Sequence, residues 1–217
     1  MSEGRNVKNP YQIVQDFEQA VAEYTGAPYV VAVNSCTMAL TLAVAWHLRD
    51  EVGWVPIEIP KHTYVSVPQS IIHAGGWPVF RDEKWIGAYQ MKPLPVWDSA
   101  RWFTAGIYRH PLTGDNVNGR MLCVSFHASK TLGDTQGGAI LLDDPEADKW
   151  LRLARFDGRE QGVAPKDQQQ WPVIGWHCYM SPDVAARLSL KFYSLPQHNE
   201  PLPNDDYPDL SQFEIFK

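Results

Sequence analysis

The sequence predicts an α/β fold with a mainly parallel sheet and helices on both faces. Short apolar, β-branched segments alternate along the chain with longer segments at helical spacing, and this alternation requires crossover connections between parallel strands. Polar turns also follow the strand-like segments, at the carboxyl ends where ligands collect in such sheets. These turns lie at residues 34–37, 61–64, 98–101 and 125–130.

The first elements set this pattern. Residues 10–24 are predicted to be a helix, because Pro10 is placed to begin one and apolar residues follow at helical spacing. Residues 29–33 form a short β-branched run and predict a buried strand. After the polar turn, residues 38–46 are almost wholly apolar and too long for a typical strand, which indicates a buried helix.

The alternation then continues to the end of the domain. Further strands are predicted at residues 55–59, 77–80, 94–97, 121–124 and 138–142, and a further helix at about 65–73. The pattern weakens after Leu153, and a last helix begins at Ser181 and runs to about Tyr193. We therefore predict one domain over residues 1–195. Residues 196–217 are predicted to be an extended or poorly ordered tail, because their first part is rich in Pro, Asn and Asp.

Composition excludes several classes of protein. A length of 217 residues suits one sizeable core, and the net charge of −6 provides no basic surface for nucleic acid. Residues 1–6 lack the apolar core of a signal peptide, and the apolar stretch 29–46 is interrupted by polar residues that would be costly in lipid. Three well-separated cysteines indicate reduced thiols: Cys36, Cys123 and Cys178. We predict a cytoplasmic protein without a nucleic-acid or membrane partner.

A lysine and an aspartate stand where a pyridoxal-phosphate site needs them. Lys130 lies five residues after Ser125, behind the apolar run 121–124 and before the glycine pair 137–138. Asp98 ends an earlier apolar segment. A lysine amine forms a Schiff base with the cofactor aldehyde, and an aspartate keeps the pyridine nitrogen protonated. This combination predicts pyridoxal 5'-phosphate as cofactor.

Other interpretations of single residues stay open. Taken alone, a lysine that follows a strand, as Lys130 does, is usually a solvated surface residue. Asp98 could be a turn former or a helix cap. Tyr64 could be an ordinary core residue, and Arg101 could form a surface ion pair. No metal site is predicted, because no Cys or His pair has ligand spacing.

Several motifs occur together and in a fixed order: residues 17–26, 34–40 (NSCTMAL), 60–66 (PKHTYVS), 75–82 (GGWPVFRD), 98–100 (DSA), and 125–130 (SFHASK) with the glycine pair 137–138. In these motifs the chain resembles the DegT/DnrJ/StrS family, the sugar aminotransferases among the fold type I pyridoxal-phosphate enzymes. The resemblance runs from about residue 10 to 195. It implies the large domain of that fold, and relatives of this pattern continue into a small C-terminal domain that this chain lacks.

The resemblance also implies roles for individual residues. Lys130 would hold the cofactor as a Schiff base, Asp98 would bind the pyridinium nitrogen, and Tyr64 would stack on the pyridine ring. The phosphate would be bound by Ser125, Cys36 and Thr37. A turn that leads from a strand into a helix suits a phosphate independently, because its N–H groups are free and the helix dipole is positive there.

Three positions depart from the family pattern. Arg101 stands where the family usually has Gln or His beside the cofactor's phenolic oxygen, and a cation there would favour the phenolate. His177 stands where the family has an Asn that reaches the phosphate of a neighbouring subunit, and Tyr179 replaces an arginine of the same segment. The resemblance therefore implies a homodimer with a cofactor contact from His177.

The implied activity is amino-group transfer from an amino acid, glutamate in particular, to a keto-sugar nucleotide in nucleotide-sugar biosynthesis. Lys130 would then also shuttle a proton, and Asp98 would maintain the electron sink. A pyridoxal-phosphate-dependent sugar dehydratase is an alternative, although the family's dehydratases have histidine in place of this lysine. A non-catalytic scaffold or partner subunit with the same fold is another.

Overall fold

The computed structural model describes residues 9–110 and 119–217 and shows an α/β fold with helices on both faces of a central sheet. The elements in chain order are α1 (Gln12–Thr25), β1 (Tyr29–Val33), α2 (Cys36–Leu48), β2 (Val55–Pro60), α3 (Ser66–His73), β3 (Gly76–Arg81), β4 (Tyr89–Gln90), β5 (Val96–Asp98), β6 (Met121–Ser125), β7 (Gly138–Leu142), α4 (Pro145–Ala154) and α5 (Pro182–Phe192). Residues 1–6, which were compared with a signal peptide, lie outside the described residues.

The sheet is mixed, which corrects the prediction of mainly parallel strands within a fold class that is otherwise confirmed. Its order is β1-β7-β6-β5-β4. Within it, β5 and β6 are parallel, while the other three neighbouring pairs are antiparallel. The physical reason is the connection 126–137, which joins β6 to β7 without a helix and so returns the chain in the opposite direction. A separate parallel pair is formed by β2 and β3.

Alternate side chains of the strands enter two different cores. In β1, Val31 and Val33 pack with the apolar residues of α2, α3 and α4. Val30 and Ala32 point to the other face and pack with α1 and α5. Because successive side chains of a strand point to opposite faces, both faces of the sheet are covered.

Helix α4 was not predicted from the sequence, although its signals are present. The side chain of Asp144 accepts hydrogen bonds from the first-turn amides, and Pro145 occupies the first turn. Its buried residues recur at helical spacing: Ala147, Leu151 and Ala154. None of the described helices is long and apolar enough to cross a membrane.

Strand register places the ends of four strands at one edge of the sheet. Val33 pairs with Gly138, and Gly138 pairs with Ser125. Asp98 pairs with Cys123, two residues before the end of β6. The carboxyl ends of β1, β5 and β6 and the beginning of β7 therefore lie side by side.

The C-terminal segment follows an irregular path over the domain. Residues 196–209 contain no helix or regular strand. The amide of Ala105 donates to the carbonyl of Gln197 at 3.0 Å, and the indole of Trp102 donates to the carbonyl of Asn199 at 2.8 Å. Beyond this segment the side chain of Leu210 is buried. The boundary at residue 195 between a domain and a tail stays a prediction.

Candidate active site

A cavity of about 280 Å³ opens at the edge where the strand ends meet. All four polar turns that the sequence singled out contribute to its wall. The predicted site residues in this wall are Lys130, Asp98, Tyr64, Ser125, Cys36, Thr37 and Arg101. Among the described residues no group of three His, Cys, Asp or Glu side chains is placed to hold a metal ion.

One end of the cavity is formed by the first turn of α2. The hydroxyl of Ser35 caps this helix by accepting from the amide of Met38 at 3.2 Å. Cys36 and Thr37 occupy the first turn, where helix amides lack partners within the helix. The hydroxyl of Thr37 lies 2.8 Å from that of Ser66. Exposed amides, hydroxyls and the positive helix end suit a phosphate group.

Gly138 permits this turn to lie against the sheet. A Cβ atom at position 138 would lie 2.5 Å from the backbone nitrogen of Cys36 and 2.6 Å from the carbonyl carbon of Ser35. Real side chains do not approach backbone so closely. A glycine at this position therefore creates the space in which the first turn of α2 sits.

We expect Gly138→Ala to move the first turn of α2 and weaken phosphate binding. Relief of the clash is expected to lower the free energy of unfolding by about 1–3 kcal/mol. Calorimetric titration with pyridoxal phosphate and urea unfolding would measure the two effects. Gly53→Ala is the control for cofactor affinity, because no atom lies within 4 Å of its added Cβ. It is not a control for stability, since its φ of +94° strains any alanine. Equal cofactor affinity in both variants would contradict this role of Gly138.

Asp98 is buried and held by two hydrogen bonds. Its carboxylate accepts from the hydroxyl of Tyr89 at 2.8 Å and from the amide of Ala100 at 2.9 Å. Burial raises the pKa of Asp98, while these hydrogen bonds and the nearby charge of Lys130 act in the opposite direction. Burial and the neighbouring Asp98 raise the pKa of Tyr89 well above its ordinary value, so this hydroxyl remains a donor. A cationic ring nitrogen would further favour the ionised carboxylate.

Lys130 lies in the same wall, and its amine is the candidate nucleophile. Burial and the positive charge of Arg101 lower the pKa of Lys130, whereas Asp98 acts to raise it. A lowered pKa increases the fraction of neutral amine near pH 7, and only the neutral amine attacks an aldehyde.

The pH dependence of aldehyde capture by Lys130 should therefore change when the charge of Arg101 is removed. We expect Arg101→Gln to raise the pKa of Lys130 and to move the midpoint of the capture rate to higher pH, so that capture slows near pH 7. Stopped-flow absorbance with pyridoxal phosphate across pH 6–10 would measure it. Arg101→Lys retains the charge and should keep the midpoint near that of the wild type. An unchanged midpoint in Arg101→Gln would show that the charge of Arg101 does not affect the pKa of Lys130.

Aromatic side chains line the open side of the cavity. Tyr64 is 56% exposed, and its ring lies 6.3 Å from the ring of Tyr207. The ring of Tyr207 is nearly parallel to that of Trp85, also at 6.3 Å. The stacking role of Tyr64 stays a prediction. Tyr207 and Trp85 were missed by sequence reasoning because neither belongs to a turn that follows a strand.

His177 lies outside the cavity. It is exposed, and its Nδ1 atom is 3.1 Å from the carboxylate of Asp157. Its predicted contact concerns the phosphate of a neighbouring subunit, so the role stays a prediction. Arg101 forms an ion pair, the alternative to a cofactor contact, with Asp206 as its partner, and it also lines the cavity.

The fold is that of a class, the fold type I pyridoxal-phosphate-dependent enzymes. Solved structures share the fold with TM-scores of 0.63 for S. venezuelae DesV and 0.65 for a DegT DnrJ EryC1 StrS aminotransferase from Brucella abortus. Each is 20% identical, and the matches cover 84% and 89% of this chain and 57% and 61% of those chains.

The particular family follows from the sequence. The model of the DegT/DnrJ/EryC1/StrS aminotransferase family matches residues 1–94 and 113–201, and the chain belongs to this family. Spore coat polysaccharide biosynthesis protein SpsC of Bacillus subtilis (strain 168) is 28% identical over 69% of this chain and 47% of its own length. GDP-perosamine synthase of Caulobacter vibrioides is 23% identical over 82% of this chain and 56% of its own. The chain thus spans about half the length of these curated relatives.

Proposed function

We propose that the chain forms the pyridoxal-phosphate site of a sugar aminotransferase, which moves an amino group from an amino acid, glutamate in particular, to a keto-sugar nucleotide. The observation that supports this most is the meeting of Lys130, Asp98, Tyr64 and the first turn of α2 in one cavity. Lys130, Tyr64 and the first turn of α2 lie in segments that the family model matches, whereas Asp98 lies between the two matched segments.

The residues of the cavity fit the cofactor in chemical type. An amine is available for its aldehyde, a buried carboxylate for its ring nitrogen, and amides with hydroxyls for its phosphate. Gly138 lets the first turn of α2 lie at the phosphate end of the cavity, since a Cβ there would clash with the backbone of Ser35 and Cys36. The bound cofactor supplies an electron sink for the reacting carbon of the substrate.

The chain's own residues then have separate tasks. The neutral amine of Lys130 binds the cofactor aldehyde and later carries the proton that leaves the substrate carbon. The carboxylate of Asp98 holds a proton on the ring nitrogen. Tyr64 orients the ring by stacking, and Thr37 with Ser125 binds the phosphate.

Trapping the lysine adduct tests the proposal directly. After incubation with pyridoxal phosphate and reduction with borohydride, peptide mass mapping is expected to find the adduct on Lys130. Lys130→Arg should abolish it, whereas Lys166→Arg, in the polar loop after α4, should not. An adduct on another lysine, or none, would contradict the proposal.

Two further parts of the proposal concern assembly and location. We propose a homodimer, because His177 is exposed beside its partner Asp157, where a second copy could reach it, and two-fold dimers are the commonest oligomers. We also propose a cytoplasmic location.

An alternative to the aminotransferase is a non-catalytic scaffold or partner subunit. Cofactor uptake without turnover on any amino donor would favour it.

A further inference from the structure

A segment of the C-terminal region crosses the open side of the cavity. We call residues 202–210 the strap. The amide of Leu202 donates to the carbonyl of Arg101 at 2.7 Å, and the amide of Leu210 donates to the carbonyl of Lys61 at 2.9 Å. Leu210 is only 2% exposed. The strap is therefore anchored at both ends to loops of the site, and Asp206 and Tyr207 in its middle line the cavity.

The strap places a carboxylate on Arg101, the one arginine in this wall among the described residues. Asp206 forms an ion pair and a hydrogen bond with Nη2 of Arg101. The Arg101 side chain is 13% exposed, whereas that of Asp206 is 69% exposed. The guanidinium also lies 4.8 Å from the ring centre of Tyr207. The cation is thus a fixed part of the wall, and its carboxylate partner approaches from the solvent side.

The Asp206 carboxylate can be replaced on Arg101 by another carboxylate. Ion pairs with a well-exposed member contribute little to stability, so a competing carboxylate of similar geometry can replace Asp206. Arginine presents a planar set of donors that binds carboxylates through two parallel hydrogen bonds. Lys130 lines the same small cavity, so a bound amino acid could present its amino end to that residue and a carboxylate to the guanidinium.

We infer that Arg101 is the receptor for a carboxylate of the amino-acid donor, and that Asp206 is a built-in carboxylate that the donor displaces. This inference rests on the proposed function and identifies a specificity-determining residue for it. Displacement would free the Asp206 side chain and loosen the middle of the strap, where Asn204 still donates to the carbonyl of Trp85 at 2.9 Å and the carbonyl of Tyr207 lies 3.1 Å from Nδ1 of His62.

The test uses glutarate, a dicarboxylate without an amine, and the full cofactor-free chain. Calorimetry is carried out in phosphate buffer, so that phosphate occupies the anion site at α2 and glutarate binding there does not dominate the measured heat. Arg101→Gln is expected to weaken glutarate binding about tenfold. Asp206→Asn should strengthen it about threefold, because the internal competitor is gone. Asp205→Asn is the matched control with the same charge change one residue earlier, at an exposed side chain, and should bind glutarate like the wild type.

Hydrogen exchange gives a second readout that does not depend on activity. Glutarate should speed exchange in residues 203–209 of the wild type and leave the already loosened strap of Asp206→Asn unchanged. Wild-type glutarate affinity in Arg101→Gln, or no difference between Asp206→Asn and Asp205→Asn, would overturn the inference. The inference would also be overturned if Arg101→Gln weakened the binding of uridine diphosphate but not that of glutarate. The arginine would then belong to the site of the sugar nucleotide.

The outcomes separate this inference from the proposed function. A borohydride adduct on Lys130 with no effect of Arg101 on glutarate would remove the inference alone. The expected glutarate pattern without any adduct would leave a carboxylate site and remove the aminotransferase proposal.

Discussion

Asp98→Asn is expected to leave the fold intact and to slow the half-reaction with an amino donor by about a hundredfold or more. A neutral amide cannot stabilise a protonated pyridine nitrogen, and each lost increment of about 1.36 kcal/mol is tenfold in rate. The fold should tolerate the change because the amide oxygen can still accept from the amide of Ala100. The hydroxyl of Tyr89 can in turn accept from the new amide group and donate to Thr63, which lies 2.6 Å away.

Single-turnover absorbance with glutamate would measure the rate, and thermal unfolding would check the fold. Asp50→Asn is the control, because its side chain is 83% exposed and pairs only with the neighbouring Arg49 among the described residues. Near-normal single-turnover kinetics in Asp98→Asn would refute the electron-sink role. A slow rate with a large loss of thermal stability would assign Asp98 a structural role instead.

The parts of the site that sequence predicted are those set by local chemistry. Asp98 ends β5, the turn before α2 follows β1 directly, and Lys130 lies five residues after the end of β6. Once the strands are aligned, their ends meet at one edge, and the register from Val33 through Gly138 to Ser125 provides that alignment. Strand β1 itself was predicted with the bounds that the structure has, because β-branched runs between turn residues are a strong signal.

The parts that were missed depend on contacts between distant segments. Arg101 and Asp206 are 105 positions apart, and no local pattern indicates that they meet. Tyr89 lies on a two-residue strand, too short to give a periodic signal. Strand direction was missed for a related reason. Strand β7 is buried throughout, and such a run is typical of parallel strands, although its antiparallel direction follows from the short connection before it.

Far from the cavity, a buried carboxylate joins three elements of the fold. Glu18 on α1 is 5% exposed. It accepts from the amide of Ala32 on β1 at 2.8 Å and from Arg152 on α4 at 2.8 Å, and it pairs with Arg155. Burial raises the pKa of Glu18, but the charges of Arg155 and Arg152 outweigh it, and the pKa lies below its ordinary value. The carboxylate is therefore ionised at neutral pH.

Glu18→Ala is expected to lower the free energy of unfolding by about 3–5 kcal/mol, because it leaves the charge of Arg155, whose side chain is 2% exposed, without its partner. That loss is a large fraction of a typical total of about 5–15 kcal/mol. Urea unfolding at pH 7 would measure it, with Glu23→Ala, exposed on the same helix, as the control expected within about 0.5 kcal/mol of wild type.

Glu18→Gln keeps the size of the side chain and supplies a test by pH if the alanine variant fails to fold. Because the folded pKa of Glu18 is lowered, its ionised form stabilises the protein above the ordinary value of 4.5, and this stabilisation is lost as the pH falls toward the folded pKa. The stability difference between wild type and Glu18→Gln should therefore be full at pH 7 and should shrink below about pH 4.5. A difference that stays constant from pH 7 to pH 3 would show that the charge of Glu18 does not hold α1, β1 and α4 together.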